Sequence, residues 1–202
     1  MAEICYRPMT ADDIGKVPLD CHGGEEALAA RIEDLGSAAI LAFDGEQHVG
    51  QLQFRRHVRG LRSPNGIHSP DYWGDFGGLG PELPSSTLGV FCFHVGQLTD
   101  GFARDVRYFG RGIGVGLLDH FLSWAETHKF EAVVAKSVPP DRAVMTFMGG
   151  QPARVYTDRG FDEVVTFVDP ELHKALLELQ LIGETADRAA VATVGMCVRH
   201  LT

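Results

Sequence analysis

Residues 108–125 read Tyr-Phe-Gly-Arg-Gly-Ile-Gly-Val-Gly-Leu-Leu-Asp-His-Phe-Leu-Ser-Trp-Ala, and we expect the rest of the fold to be organised around them. Glycine occupies every second position from Gly110 to Gly116, and apolar residues recur at helical spacing from Ile113 to Ala125. A glycine-rich turn that leads into a helix directs unpaired N–H groups and the positive end of the helix dipole towards one point. The stretch therefore predicts an anion site, most naturally for a phosphate.

Two common phosphate-binding motifs do not fit this stretch. The dinucleotide fingerprint G-x-G-x-x-G needs a third glycine where Val115 or Leu117 stands. The P-loop needs Gly-Lys-Ser/Thr after its glycines, and that triplet does not follow here. A glycine-rich turn before an ordinary core helix is the alternative without a ligand.

The stretch resembles the pyrophosphate loop of the GNAT superfamily of acyl-CoA-dependent N-acyltransferases, which reads Gln/Arg-x-x-Gly-x-Gly/Ala before an apolar helix. One frame supplies the glycines and the helix but begins with Phe109 instead of Gln or Arg. A frame that begins at Arg107 restores the arginine and fits the helix less well. In the first frame, the resemblance implies that CoA is bound by Phe109, Gly110, Arg111, Gly112, Ile113 and Gly114.

A second segment resembles the other GNAT signature, an aliphatic or aromatic residue and Tyr, three residues, then Gly-Phe. Val155-Tyr156 and Gly160-Phe161 match it. Glycine at position 160 suits the left-handed end of a short helix, and Phe161 then opens a strand. The resemblance implies that Tyr156 lies near the CoA sulfur and acts as the general acid. A tyrosine packed against the core is the alternative.

The order of predicted elements covers most of the chain and resembles the same fold. We expect an α/β fold (α+β by some schemes), the GNAT fold, with a mixed central sheet of about seven strands flanked by helices. The resemblance implies that the sheet is splayed between strands 4 and 5. We expect a single domain over residues 1–202, with a long loop insertion at about 57–86 and an extra helix at about 170–182.

The run from Thr87 to Leu98 has the composition of a central strand that is buried on both faces. The resemblance assigns Val95, Gly96 and Gln97 at its end to the pantetheine arm of CoA, with a backbone N–H near Val95 or Gly96 polarising the thioester oxygen. His94 is the candidate general base, because imidazole titrates near neutrality. A core histidine is the alternative, and the rival bases are Asp71, Asp75, Glu82 and a water relay.

Residues 57–86 lose periodicity but hold an aromatic cluster from Tyr72 to Phe76. Aromatic residues are uncommon in disordered segments, so the hypothesis is a loop that folds over the acceptor site. A mobile surface loop is the alternative.

The composition disfavours several classes of protein. The 202 residues are 45% hydrophobic and 22% charged, which suits a soluble globular domain, and the net charge of -9 disfavours nucleic acid. No apolar run is long enough for a membrane span, and the N-terminal residues do not resemble a signal peptide. The four cysteines lack CxxC spacing and the nine histidines lack metal-ligand spacing, so we expect a cytoplasmic protein without a metal.

The resemblance implies an N-acetyltransferase that moves an acetyl group from acetyl-CoA, its cosubstrate, to a primary amine of a small molecule or peptide. A CoA-binding or sensing module without transferase activity is the alternative, because Phe109 and the unsettled base depart from the family pattern. A homodimer through the helix near residues 171–181 is a third interpretation.

Overall fold

The computed structural model describes residues 3–18, 23–64, 66–101 and 103–202, with the side chains of residues 68 and 70 excepted. The described residues form seven strands: β1 Ile4–Pro8, β2 Ala39–Asp44, β3 Gln47–Arg56, β4 Thr87–Val95, β5 Ala132–Ser137, β6 Asp162–Val168 and β7 Thr193–His200. They also form six α-helices: α1 Glu25–Leu35, α2 Ile113–Thr127, α3 Arg142–Met148, α4 Ala153–Thr157, α5 Pro170–Glu178 and α6 Arg188–Ala192. Cys21, one of the cysteines discussed above, lies outside the described residues.

The strands make one mixed sheet in the order β1-β2-β3-β4-β5-β7-β6. β4 and β5 are parallel, whereas β1–β2, β2–β3, β5–β7 and β6–β7 pair antiparallel. The parallel register covers Thr87–Val90 and Ala132–Ala135 and stops there, although β4 continues to Val95. This is the mixed seven-stranded α/β fold that the sequence predicts.

The chain divides into two compact units. The first unit holds residues 1–55 and 92–129, and the second holds residues 56–91 and 130–202. The expectation of a single domain over 1–202 stays a prediction.

The first unit packs apolar residues on α1 and α2. Leu28 of α1 is buried with Met9 and Leu41, and Gly36 ends that helix in a left-handed conformation. Phe54 of β3 packs against α2, with its ring centroid 4.8 Å from that of Phe121. The apolar residues that recur along α2 therefore form a buried stripe, as expected.

The second unit contains a buried lysine. Lys136 of β5 is only 1% exposed, and its Nζ donates to the Tyr72 carbonyl at 2.6 Å while lying 3.8 Å from the Tyr72 ring centroid. The Tyr72 hydroxyl donates to Asp169 Oδ2 at 2.8 Å, and Asp169 Oδ1 accepts the first N–H groups of α5. Burial lowers the pKa of Lys136 to about 8. These contacts attach the segment around Tyr72 to β5 and α5.

The segment at 57–86 is therefore not a structureless loop. It contains two short 3₁₀ turns, Gly66–His68 and Pro70–Gly74, and buries the rings of Tyr72 and Phe76. The aromatic residues of the segment are therefore part of the buried core of the second unit. The hypothesis that it covers an acceptor site stays a prediction.

Three short elements complete the fold. The segment after β5 contains α3, because the Asp141 side chain accepts the Val144 N–H at the start and Gly149 ends the helix in a left-handed conformation. The helix α6 is only five residues long. The segment after Thr10 forms a 3₁₀ turn, Ala11–Asp13.

We predict that Tyr72→Phe lowers the free energy of unfolding by about 1–3 kcal/mol, because the buried Asp169 carboxylate loses a hydrogen-bond donor while the ring is kept. Urea denaturation measures the change. Tyr108→Phe is the matched control, since it also removes a phenolic hydroxyl and belongs to the first unit. Equal stability of the two variants would show that the Tyr72 hydroxyl does not hold the segment in place.

Candidate functional site

The glycine loop lies in the first unit between a 3₁₀ turn, Val106–Tyr108, and α2. Gly110 and Gly112 have φ angles of 70° and 75°, in the left-handed region that favours glycine. A Cβ at either position would meet no atom within 4 Å, so the backbone there borders open space. Gly112 caps α2 and accepts the Gly116 N–H at 2.9 Å, while Ile113 is buried and anchors the first turn.

Arg111 is held beside this loop. Its Nη1 lies 3.2 Å from Asp44 Oδ2, and its Cζ lies 5.2 Å from the Tyr108 ring centroid. The side chain is 19% exposed, whereas that of Arg107 is 80% exposed and pairs with Asp105. Arg111 is therefore the more buried of the two arginines beside the loop.

The end of β4 is fixed by hydrogen bonds of Gly96. Its N–H donates to Val49 O and its carbonyl accepts from Asp105 N–H, each at 2.7 Å. A trans peptide points its C=O opposite to its N–H, so the Val95 carbonyl faces away from Val49 and the Gln97 N–H faces away from Asp105. The Gly96 N–H, one of the two groups predicted to polarise the thioester oxygen, is thus already bonded to Val49.

His94 lies between two polar side chains. Its Nδ1 is 2.8 Å from Arg104 Nη2, and its Nε2 is 2.8 Å from Cys92 Sγ. A guanidinium can only donate, so Nδ1 accepts and the hydrogen of the neutral ring is on Nε2, facing Cys92. Sequence reasoning missed Arg104, because it lies in an irregular loop ten residues after His94.

Tyr156 belongs to the second unit. It is 1% exposed on α4, and its ring centroid lies 5.4 Å from that of Phe161. Its carbonyl accepts the Arg159 N–H at 2.8 Å, and Gly160 has a φ of 74°. The Tyr-to-Gly-Phe segment therefore forms the short helix and left-handed end that its sequence predicts.

His94, the end of β4 from Cys92 onwards and the glycine loop belong to the first unit, whereas Tyr156 belongs to the second. Two of the rival bases have partners within the second unit: Asp75 accepts the backbone N–H groups of Ser63 and Gly77, and Glu82 pairs with Arg59. Asp75 is therefore a loop-ordering residue.

Over residues 3–18, 23–64, 66–101 and 103–202, no helix is both long and apolar enough to cross a bilayer. In the same part of the chain, three or more His, Cys, Asp or Glu side chains do not come together as a metal site.

A substitution at Gly96 tests how closely the end of β4 approaches the backbone of Asp105. We predict that Gly96→Ala lowers the free energy of unfolding by about 1–3 kcal/mol more than Gly101→Ala. Both glycines have positive φ, at 77° and 101°, so both variants carry the same kind of backbone strain. Only at Gly96 would a Cβ meet backbone, 2.5 Å from Asp105 O. Thermal denaturation measures both, and equal losses would mean that the Gly96–Asp105 contact is not tight.

The fold is shared with acetyltransferases of known structure. The protein yncA from Salmonella typhimurium, solved with its cofactor acetyl-CoA, has a TM-score of 0.54 at 12% identity, over 100% of this chain and 95% of that one. The acetyltransferase of GNAT family from Streptococcus pneumoniae has a TM-score of 0.53 at 11% identity, over 99% and 100% of the chains. The ribosomal-protein-S18-alanine N-acetyltransferase from Escherichia coli has a TM-score of 0.53 at 9% identity, over 99% and 95%. No family model and no curated protein sequence matches the chain.

Proposed function

We propose that this chain, which has the fold of GNAT acetyltransferases, is an N-acetyltransferase that moves an acetyl group from acetyl-CoA to a primary amine by direct attack. The observation that carries the proposal is the glycine loop. Gly110 and Gly112 take left-handed conformations beside open space and lead into the N-terminus of α2. Backbone N–H groups and a helix dipole in that arrangement suit the pyrophosphate of CoA.

In this proposal the first unit holds the cofactor in two places. The backbone from Phe109 to Gly114 binds the pyrophosphate, and Arg111, already oriented by Asp44, adds a charge-assisted contact. The carbonyl of Val95 and the N–H of Gln97 bind the pantetheine arm. Gly96 contributes its tight turn rather than its N–H, which is bonded to Val49.

The chemistry is a direct displacement. The nitrogen lone pair of a neutral amine attacks the thioester carbon, a C–N bond forms, and the C–S bond breaks with its electron pair leaving on sulfur. We assign protonation of that thiolate to the Tyr156 hydroxyl. His94 remains the proposed acceptor of the amine proton, and it takes the proton on Nδ1 only once Arg104 turns away. The alternative proton acceptor is a water relay without a dedicated side chain.

The alternative function is a CoA-binding sensor that does not transfer acetyl groups. Phe109 favours it, because it replaces the polar side chain with which the family motif begins. Release of free thiol from acetyl-CoA with a panel of primary amines separates the two functions. Release with one amine class upholds the transferase, and binding of acetyl-CoA with no release across the panel upholds the sensor.

For the acceptor, we propose a small molecule or a peptide. The E. coli structure is named for a ribosomal protein substrate, and it supports the peptide class through likeness of fold alone.

We predict that Gly112→Glu weakens CoA binding by at least ~100-fold, about 2.8 kcal/mol. The added carboxylate would stand in the open space over the loop and repel the phosphates. Isothermal titration calorimetry with CoA measures the effect. Gly60→Glu is the matched control, because Gly60 also has a positive φ and open space but belongs to the second unit. A folded Gly112→Glu variant that binds CoA normally would remove the phosphate-loop assignment.

We predict that Tyr156→Phe lowers kcat by ~100-fold or more while the dissociation constant for CoA stays within twofold, because the ring keeps its packing and the proton donor is lost. Steady-state thiol release measures kcat. An unchanged kcat in this variant would show that Tyr156 packs against Phe161 and does not act as the general acid.

A further inference from the structure

Arg104 makes a contact that bears on the proposed base. Its Nη2 lies 2.8 Å from His94 Nδ1, and the Nε2 of the same ring lies 2.8 Å from Cys92 Sγ. His94 and Cys92 are buried, at 5% and 2% exposed, so both nitrogens of the ring face protein groups. All three residues belong to the first unit, so the contact lies within one compact part of the chain.

The guanidinium of Arg104 is held at the end of β4. Its Nη1 donates to the Gly101 carbonyl at 3.1 Å. The Gln97 side chain donates to the same carbonyl at 3.0 Å. The N–H of the next residue, Asp105, donates to Gly96 O at 2.7 Å. The loop that carries the guanidinium therefore returns to the end of the strand that carries the histidine.

The contact decides whether the ring can take up a proton. A guanidinium has N–H groups and no acceptor, so Nδ1 contributes its lone pair and the hydrogen of the neutral ring is on Nε2. A neutral imidazole has only that one lone pair in the ring plane for a proton. While Arg104 donates to it, His94 cannot accept a proton from an amine or from water.

The guanidinium nitrogen also lies where the nitrogen of an acceptor amine has to lie. A general base must be about 2.6–3.2 Å from the atom whose proton it takes. Arg104 Nη2 is at such a distance from His94 Nδ1 and, like a substrate ammonium, it is a cationic nitrogen that donates an N–H. An amine can therefore reach this base only by replacing the guanidinium.

We infer that Arg104 is an inhibitory residue, whose guanidinium occupies the position of the acceptor nitrogen at His94 Nδ1 until the amine displaces it. The inference rests on the proposed function, in which His94 takes the amine proton. Its consequence is protection of the thioester. Without an amine the base stays occupied, so it cannot activate a water molecule to attack bound acetyl-CoA.

Hydrolysis of acetyl-CoA is thus the reaction that this contact suppresses. The water oxygen would attack the thioester carbon while one of its protons passes to Nδ1. The C–S bond would then break with its electron pair on sulfur, and the thiolate would take up a proton. The products are acetate and CoA, so thiol release without an amine reports on the occupancy of Nδ1.

The first test reads the His94 ring in the full chain by long-range ¹H–¹⁵N NMR. In the wild type we expect one neutral form, with its hydrogen on Nε2. Arg104→Met removes the N–H donors and keeps an unbranched side chain, so the form with hydrogen on Nδ1 should appear as well. Arg107→Met is the matched control, because Arg107 lies in the same loop and pairs with Asp105, and it should leave the ring in its wild-type form.

The second test measures thiol release from saturating acetyl-CoA without any amine. Arg104→Met should release thiol about tenfold faster than the wild type, because a hydrogen bond to a charged group no longer has to be broken first. Arg188→Met removes the same charge from an exposed position of the second unit and should leave the rate unchanged. A purely structural role of Arg104 would lower the rate or leave it as it is.

The inference is overturned if the wild-type ring carries its hydrogen on Nδ1, a result that does not depend on the folding of any variant. It is also overturned if Arg104→Met hydrolyses acetyl-CoA no faster than the wild type. A parallel assay with a panel of primary amines separates these failures from that of the transferase. Amine-dependent release without faster hydrolysis in Arg104→Met keeps the transferase and removes the inhibitory role. No release with any amine removes the transferase and the inhibitory role together, even where the ring spectra confirm the Arg104–His94 contact.

Discussion

Two backbone hydrogen bonds at Gly96 fix the end of β4, on which the arrangement of the first unit depends. The N–H of this glycine donates to Val49 and its carbonyl accepts from Asp105, each at 2.7 Å, so that β4 ends against β3 and the chain turns closely into the next loop. Only glycine permits that approach, because its φ is positive and a Cβ would meet the Asp105 backbone. The same turn leads along the chain into the glycine loop and α2.

The second unit is stabilised by a different kind of interaction. Lys136 and Tyr72 are buried together, and the tyrosine hydroxyl bonds the carboxylate that caps α5. A buried ammonium needs such partners, because its desolvation is otherwise costly. The long segment around Tyr72 is therefore a structural part of this unit, and any role over an acceptor comes in addition to that packing.

Much of the fold could be predicted because its signals are local. The spacing of glycine before α2, the apolar stripe of that helix and the Tyr-to-Gly-Phe segment each specify a short conformation through φ preference and periodicity. The partners of the polar side chains could not be predicted, because they come from distant residues. Lys136 meets a carbonyl 64 positions earlier, and Tyr72 meets a carboxylate 97 positions later. His94 was predicted as a candidate, but its contact with Arg104 needed the structure.

The central claim is that CoA is held by the backbone between Phe109 and Gly114. A titration of ¹⁵N-labelled protein with CoA, followed by amide ¹H–¹⁵N spectra, tests it most directly. The account predicts saturable shifts of the Gly110, Gly112 and Ile113 amides, with smaller or no shifts for the Gly60 and Gly183 amides of the second unit. Saturable binding of CoA that leaves the amides of residues 109–114 unmoved, or no binding at millimolar CoA, would contradict it.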